Sequence, residues 1–204
     1  MVYRPTGRPP GRPSYGSRDK LVAATCKLLS ERGYAATSPE MIWTRAECTR
    51  GSYQHYFPAK EEAGLAAIGD FTRRDVAYLL EHLDGAVAEA SALTAQDPEP
   101  ETVRRVLADQ MRACLSLLFF RRGGHALIRL LADPDVAASP ALTGATRDWL
   151  DKLCTELART LTSKPVKSFG VVFTSKQATS LAGRLLTDAM GQTLVTISTS
   201  PPLR

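Results

Sequence analysis

Between Gly33 and Pro58 the sequence stops and restarts its helical pattern so often that only short helices joined by tight turns fit there. Upstream, Leu21, Val22, Cys26, Leu28 and Leu29 recur at helical spacing, which predicts a first helix from Ser17, as N-cap, to about Arg32. Gly33 supplies the left-handed residue past its end, with Tyr34 placed to fold back on it. Thr37 and Glu40 read as a T-x-x-E capping box, with Pro39 in the first turn; Ser38 as the cap, with Pro39 at the first helical position, is an equally good variant. Ile42 and Ala46 make the apolar face of this second helix. Glu47-Cys48 is a very short break before Thr49, another capping type, and the third helix runs from Arg50 to about Tyr56, burying Tyr53 and Phe57. Pro58 ends it by excluding Phe57 from the α region.

Three short helices with a tight turn between the second and third make a helix-turn-helix head, whose last helix enters a DNA major groove. Charge placement points the same way. Arg50 and Lys60 each fall in the first turn of a helix, where the macrodipole disfavours cations, so helix stability explains neither. A phosphate at those helix starts resolves the conflict, with the Thr37, Thr49 and Ser52 hydroxyls as further donors. Arg50, Gln54 and His55 carry side chains able to read base edges. Residues 1–16 hold Arg4, Arg8 and Arg12, no acid, and Gly-Arg-Pro twice. They read as a basic arm that lays Arg8 and Arg12 into a narrow minor groove, or as an ordinary solvated tail.

Beyond residue 60 all periodicity is helical, so the chain is expected to be all-α: arm 1–16, head 17–60, and a helical domain over 61–204. Residues 60–84 read as one or two helices and 86–101 as an acidic, proline-marked linker. Val103, Val106, Leu107, Met111, Cys114, Leu115 and Leu118 form a wide apolar stripe. His125 to Leu131 is a short segment. Ser139-Pro140 opens a helix with Leu142, Trp149, Leu153, Leu157 and Leu161 inward, and Thr174 with Gln177 boxes the start of a last helix through about Val195. Only FGVVF at 169–173 hints at a strand.

Composition narrows the classes. With 44% hydrophobic and 23% charged residues the chain is an ordinary globular protein. A net charge of +5 points weakly to a polyanionic partner. No secretory signal or apolar run of membrane length is present, so a cytoplasmic location without membrane partners is expected. Cys26, Cys48, Cys114 and Cys154 form no C-x-x-C pair, and with three histidines in all, neither a metal site nor a cofactor is expected. No phosphate loop, G-x-S-x-G or H-E-x-x-H motif suggests an enzyme.

Residues 18–61, above all ERGYAATS at 31–38 and TRGSYQHYFPAKE at 49–61, resemble the DNA-binding region of the TetR family of bacterial regulators. The resemblance implies a homodimeric all-α repressor whose C-terminal domain binds a small molecule and releases operator DNA. It carries DNA-contact roles onto Thr37, Thr49, Arg50, Ser52, His55 and Lys60. Four positions depart from the pattern. Trp43 replaces a small alanine, Glu47 the turn glycine, Gln54 a phosphate-binding tyrosine, and Ala59 the serine that caps the fourth helix. In the C-terminal domain Met111, Phe119, His125 and Trp149 are the candidates for contacting an effector. That effector is expected to be hydrophobic or aromatic, since the stripe from 103 to 118 carries no inward charge. Gly183 and Gly191 let the final helices approach a symmetry mate. A rival reading is a thiol redox sensor using Cys48 or Cys26.

Overall fold

No proline interrupts the chain from Lys60 to Thr94, and a single helix, α4, runs through all of it. The computed structural model describes residues 16–95, 99–121 and 125–199 and contains no strand among them. Ahead of α4 lie α1 (Ser17–Arg32), α2 (Pro39–Arg45) and α3 (Arg50–Tyr56); after it come α5 (Pro100–Arg121), α6 (His125–Leu131), α7 (Pro134–Ala138), α8 (Pro140–Leu161), α9 (Lys164–Ser168) and α10 (Ser175–Thr199). The all-α expectation therefore holds, with a three-helix head and a helical body.

Three local expectations need correction. Ser17 is not the cap of α1: Gly16, at φ 96, holds that position, and Ser17 is already helical and buried. The expected linker after residue 85 is helix as far as Thr94, with Ala86, Val87, Ala90 and Thr94 buried along its inner face. Alanine looks weakly apolar in a sequence yet is the best helix former, and the prolines that end the helix come only later. The FGVVF segment is irregular chain that turns Val171 and Phe173 inward. The Gly-Arg-Pro arm with Arg8 and Arg12 lies outside the described residues.

The body is a bundle in which α4 packs between α5 and α8, and α10 packs across α5 and α8. Its core includes the apolar stripes read from the sequence, with Leu107, Met111, Leu115, Leu153 and Leu157 fully buried, and adds Leu79 of α4. Trp149 of α8 stacks flat on Phe71 of α4, with 5.2 Å between ring centres and 3° between planes. Burying two such rings contributes a few kcal/mol, about 1.5–3 each for a side chain of this kind. Capping fixes the helix starts. Ser139 accepts from the Leu142 N–H at 3.1 Å ahead of Pro140, and Thr174 and Gln177 exchange hydrogen bonds at the start of α10. The head joins the body through α1, which packs on α4 and α6.

Candidate nucleic-acid interface

The candidate surface is built outward from a small aromatic core. Tyr53 of α3 and Phe57 at its C-terminal end are 3% exposed, spaced one turn apart with ring centres 5.9 Å from each other. Trp43 of α2 meets Tyr53 edge-on at 5.7 Å. The large side chain at position 43 is thus accommodated by a T-shaped contact at the edge of the core, where it stays partly exposed. With Tyr53 facing inward, the other side of α3 faces solvent: Thr49, Arg50, Gln54 and His55 are exposed and Ser52 is half-buried.

The turn that delivers this helix is tight. Glu47 sits at φ 54, as expected for a residue standing where a glycine is usual. The Glu47 N–H donates to the Thr44 carbonyl at 3.2 Å and the Cys48 N–H to the Trp43 carbonyl at 2.9 Å. Thr49 caps α3, its hydroxyl accepting from the Ser52 N–H at 3.1 Å. The start of α2 takes the Ser38 variant, with the Ser38 hydroxyl accepting from the Met41 N–H at 3.3 Å and Pro39 following.

Thr37 is a correction. It is 2% exposed, and its hydroxyl donates to the Gly33 carbonyl at 2.7 Å while its N–H donates to Tyr34. Both donors are spent inside the turn between α1 and α2, so Thr37 shapes that turn and offers nothing to a phosphate. Lys60 stands at the first residue of α4, half-buried, with Nζ 4.1 Å from the centre of the Tyr34 ring and 3.5 Å from the Ala35 carbonyl. No side chain caps this helix, because Ala59 fills the position of the cap. The first-turn N–H groups of α4 are thus left without a side-chain cap.

One residue that positions the head escaped the sequence reading. Asp133, 8% exposed in the turn between α6 and α7, accepts through Oδ2 from the N–H groups of Tyr34 and Ala35, both at 2.8 Å. Its Oδ1 caps α7 through Asp135 and Val136 at 3.0 and 3.4 Å. One carboxylate thus ties the turn that precedes α2 to the body. Around it Gly64 admits the Tyr34 ring, since a Cβ there would stand 2.8 Å from Cε2, and the Ser139 hydroxyl donates to the Glu61 carboxylate. The signal for Asp133 was present: Asp-Pro is a cap followed by proline at the first helical position.

The expected effector residues are placed in the body. Met111, Phe119 and Trp149 are fully buried and His125 half-buried. Two of them carry unanswered polar atoms, Trp149 Nε1 and His125 Nδ1, which are buried without a hydrogen-bond partner among the described residues. Burial, then the Arg129 charge, push the His125 pKa below its usual value, which favours the neutral ring. Open cavities of about 450 Å³ along α4 and α8 and about 520 Å³ along α5 and α10 are lined by other side chains. Among the thiols, burial and the neighbouring Asp70 carboxylate push Cys26 up to about 12, so it stays protonated. Cys48 is half-buried in the turn, its thiol 3.4 Å from the Ala46 carbonyl.

The head is where known proteins match. Residues 21–63 fit the family described as bacterial regulatory proteins, tetR family. The transcriptional regulator AcuR of Cereibacter sphaeroides is 34% identical over 90 residues, covering 43% of this chain and 41% of that protein. An HTH-type transcriptional regulator of Mycobacterium tuberculosis is 30% identical over 78 residues, 38% of this chain and 40% of its own length. The matches therefore span about two fifths of these relatives. Similarity in fold extends further. The reduced form of Escherichia coli NemR aligns over 90% of this chain and 89% of its own, with a TM-score of 0.62 at 21% identity. A regulator from Saccharomonospora viridis solved with choline aligns over 93% and 89%, with a TM-score of 0.58 at 16% identity. Residues 21–63 thus carry the DNA-binding sequence of the tetR family, and the helix order and fold of the whole chain are similar to those of these solved regulators.

Proposed function

We propose that the chain is a ligand-responsive repressor that binds operator DNA as a homodimer and releases it when a small hydrophobic effector enters the body. The observation that carries this reading is the outer face of α3. Arg50, Gln54 and His55 project from a helix whose opposite face is anchored by Tyr53 and Phe57. Base reading falls to these three side chains. Thr49, Ser52 and Lys60, beside the N-termini of α3 and α4, hold the phosphates on either side. Arg8 and Arg12 extend the contact into the adjacent minor groove. The effector is expected to present an oxygen acceptor to the Trp149 Nε1–H and a polar group to His125 Nδ1, with an apolar remainder among Met111 and Phe119. Such a ligand satisfies two buried groups that the protein leaves unanswered.

The test separates the two kinds of DNA contact. Sequences bound by the purified protein are selected from random duplexes, and binding is measured across salt concentrations. Lys60→Ala is expected to weaken all duplexes alike and to flatten the salt dependence by about one charge. Arg50→Ala is expected to relax preference at one base position by about 1–3 kcal/mol. Uniform loss with Arg50→Ala would reassign that residue to the backbone. Selection of no sequence above background would overturn the repressor reading.

A further inference from the structure

The first turns of α5 and α10 lie side by side, and the groove between them gathers Arg104, Arg105, Lys176 and Arg184. Against these four cations stands one carboxylate in the lining, Glu101, and among the described residues none of the four reaches an acid within ion-pair distance. Elsewhere on the body Arg73, Arg74, Arg112, Lys152 and Arg159 each hold a carboxylate at short range, whereas here four cations are gathered in one lining. Arg104 is also the one best held. Its guanidinium carbon lies 5.4 Å from the centre of the Phe173 ring, and its Nε is buried with no hydrogen-bond partner. A planar donor stacked on an aromatic face and left with an unanswered N–H is preset for an oxyanion. Phe173, Ala108 and Leu181 give the same groove an apolar wall, and its volume of about 520 Å³ suits a small organic molecule.

We infer that this groove is a binding site for a phosphorylated small molecule carrying two or more negative charges and an aromatic or alkyl body. The phosphate is held by Arg104 with Lys176 and Arg184, while the body lies along Phe173 and Leu181. The site is separate from α3 and from the buried polar atoms of Trp149 and His125, so it stands whether or not the repressor reading does.

The test uses the full chain with 1-naphthyl phosphate as probe, 1-naphthol as its uncharged counterpart, and titration calorimetry as readout. Saturable binding of 1-naphthyl phosphate is expected, at least tenfold tighter than that of 1-naphthol and weakened by salt. Arg104→Gln should weaken it roughly tenfold, and Arg104→Lys less, because charge is kept while the planar stack is lost. Lys176→Gln with Arg184→Gln, both exposed, tests the same site without touching the core. Lys167→Gln, an exposed cation of α9, should change nothing. The proposal is overturned by absence of saturation, or by equal affinity for the phosphate and the phenol. It also fails if these variants shift sedimentation mass, which makes the groove a seat for a second copy, or weaken duplex DNA while sparing naphthyl phosphate.

Discussion

Glu47 shows what a single residue contributes to a helix-turn-helix. Its backbone is held at φ 54 by hydrogen bonds on both sides of the turn, a conformation that costs a residue with a Cβ about 1 kcal/mol relative to glycine. Glu47→Gly is therefore expected to raise the midpoint of thermal unfolding, with a gain of up to about 1 kcal/mol. An unchanged or lowered midpoint would show that the side chain contributes something the backbone conformation does not reveal. Asp133 is the opposite case, a residue whose side chain organises backbone 98 and 99 positions away. In Asp133→Asn one of the two acceptor oxygens becomes an NH₂ pointed at N–H donors. A loss of about 2–3 kcal/mol follows, since hydrogen bonds to a charged group are the strong ones. Denaturant unfolding measures it. DNA affinity should fall alongside, because the turn before α2 loses its tie to the body. Glu47 was legible in the sequence because its constraint is local. Asp133 was not, because capping chemistry in a sequence names the helix it starts and says nothing of a distant turn sharing the same carboxylate.

At the scale of an element, α4 connects everything: it begins with Lys60 beside the DNA surface proposed above, passes the head–body junction at Gly64, and ends in the bundle. Two of its glycines test that description. At Gly64 a Cβ would stand 2.8 Å from the Tyr34 ring and 3.1 Å from Leu142, and that ring is fixed by Lys60 above it and by the Asp133 hydrogen bond to its own N–H. At Gly69 a Cβ meets nothing within 4 Å. Alanine gains about 1 kcal/mol of helix propensity at either position. Gly69→Ala should accordingly stabilise the protein by about that amount. Gly64→Ala is expected to lose about 1–2 kcal/mol net, because overpacking a fixed ring costs more than the propensity returns. Equal stabilisation of both by thermal unfolding would mean that the junction yields freely. The sequence marked where α4 starts, through Pro58 and the charged first turn, but not where it ends. Alanine-rich helix and alanine-rich linker differ only in what they pack against, and that partner is distant in sequence.

At the scale of the whole molecule, the homodimer proposed above needs a surface, and we place it on α8 and α10. Cys154 of α8 is half-buried beside Thr179 of α10, with its thiol 3.9 Å from the Thr179 carbonyl. Along α10 the residues one turn apart are small: Thr179, Gly183, Thr187 and Gly191, followed by Leu194 at 50% exposure. A face of this kind allows two helices to approach closely, which agrees with the homodimer proposed above. Gly183→Leu distinguishes assembly from folding. In the single chain a Cβ at 183 meets nothing within 4 Å, and leucine is a better helix former than glycine by somewhat less than ~1 kcal/mol, so the isolated fold should be at least as stable. Across a close helix pair the same side chain stands where the partner's backbone must come. The expected result is a sedimentation mass reduced to that of one chain with helicity by circular dichroism retained. Affinity for a duplex with two half-sites about 34–36 Å apart should then fall to that for a single half-site. A variant that stays dimeric would move the interface off this stripe of α10, and the two recognition helices would then need another surface to set their spacing on DNA.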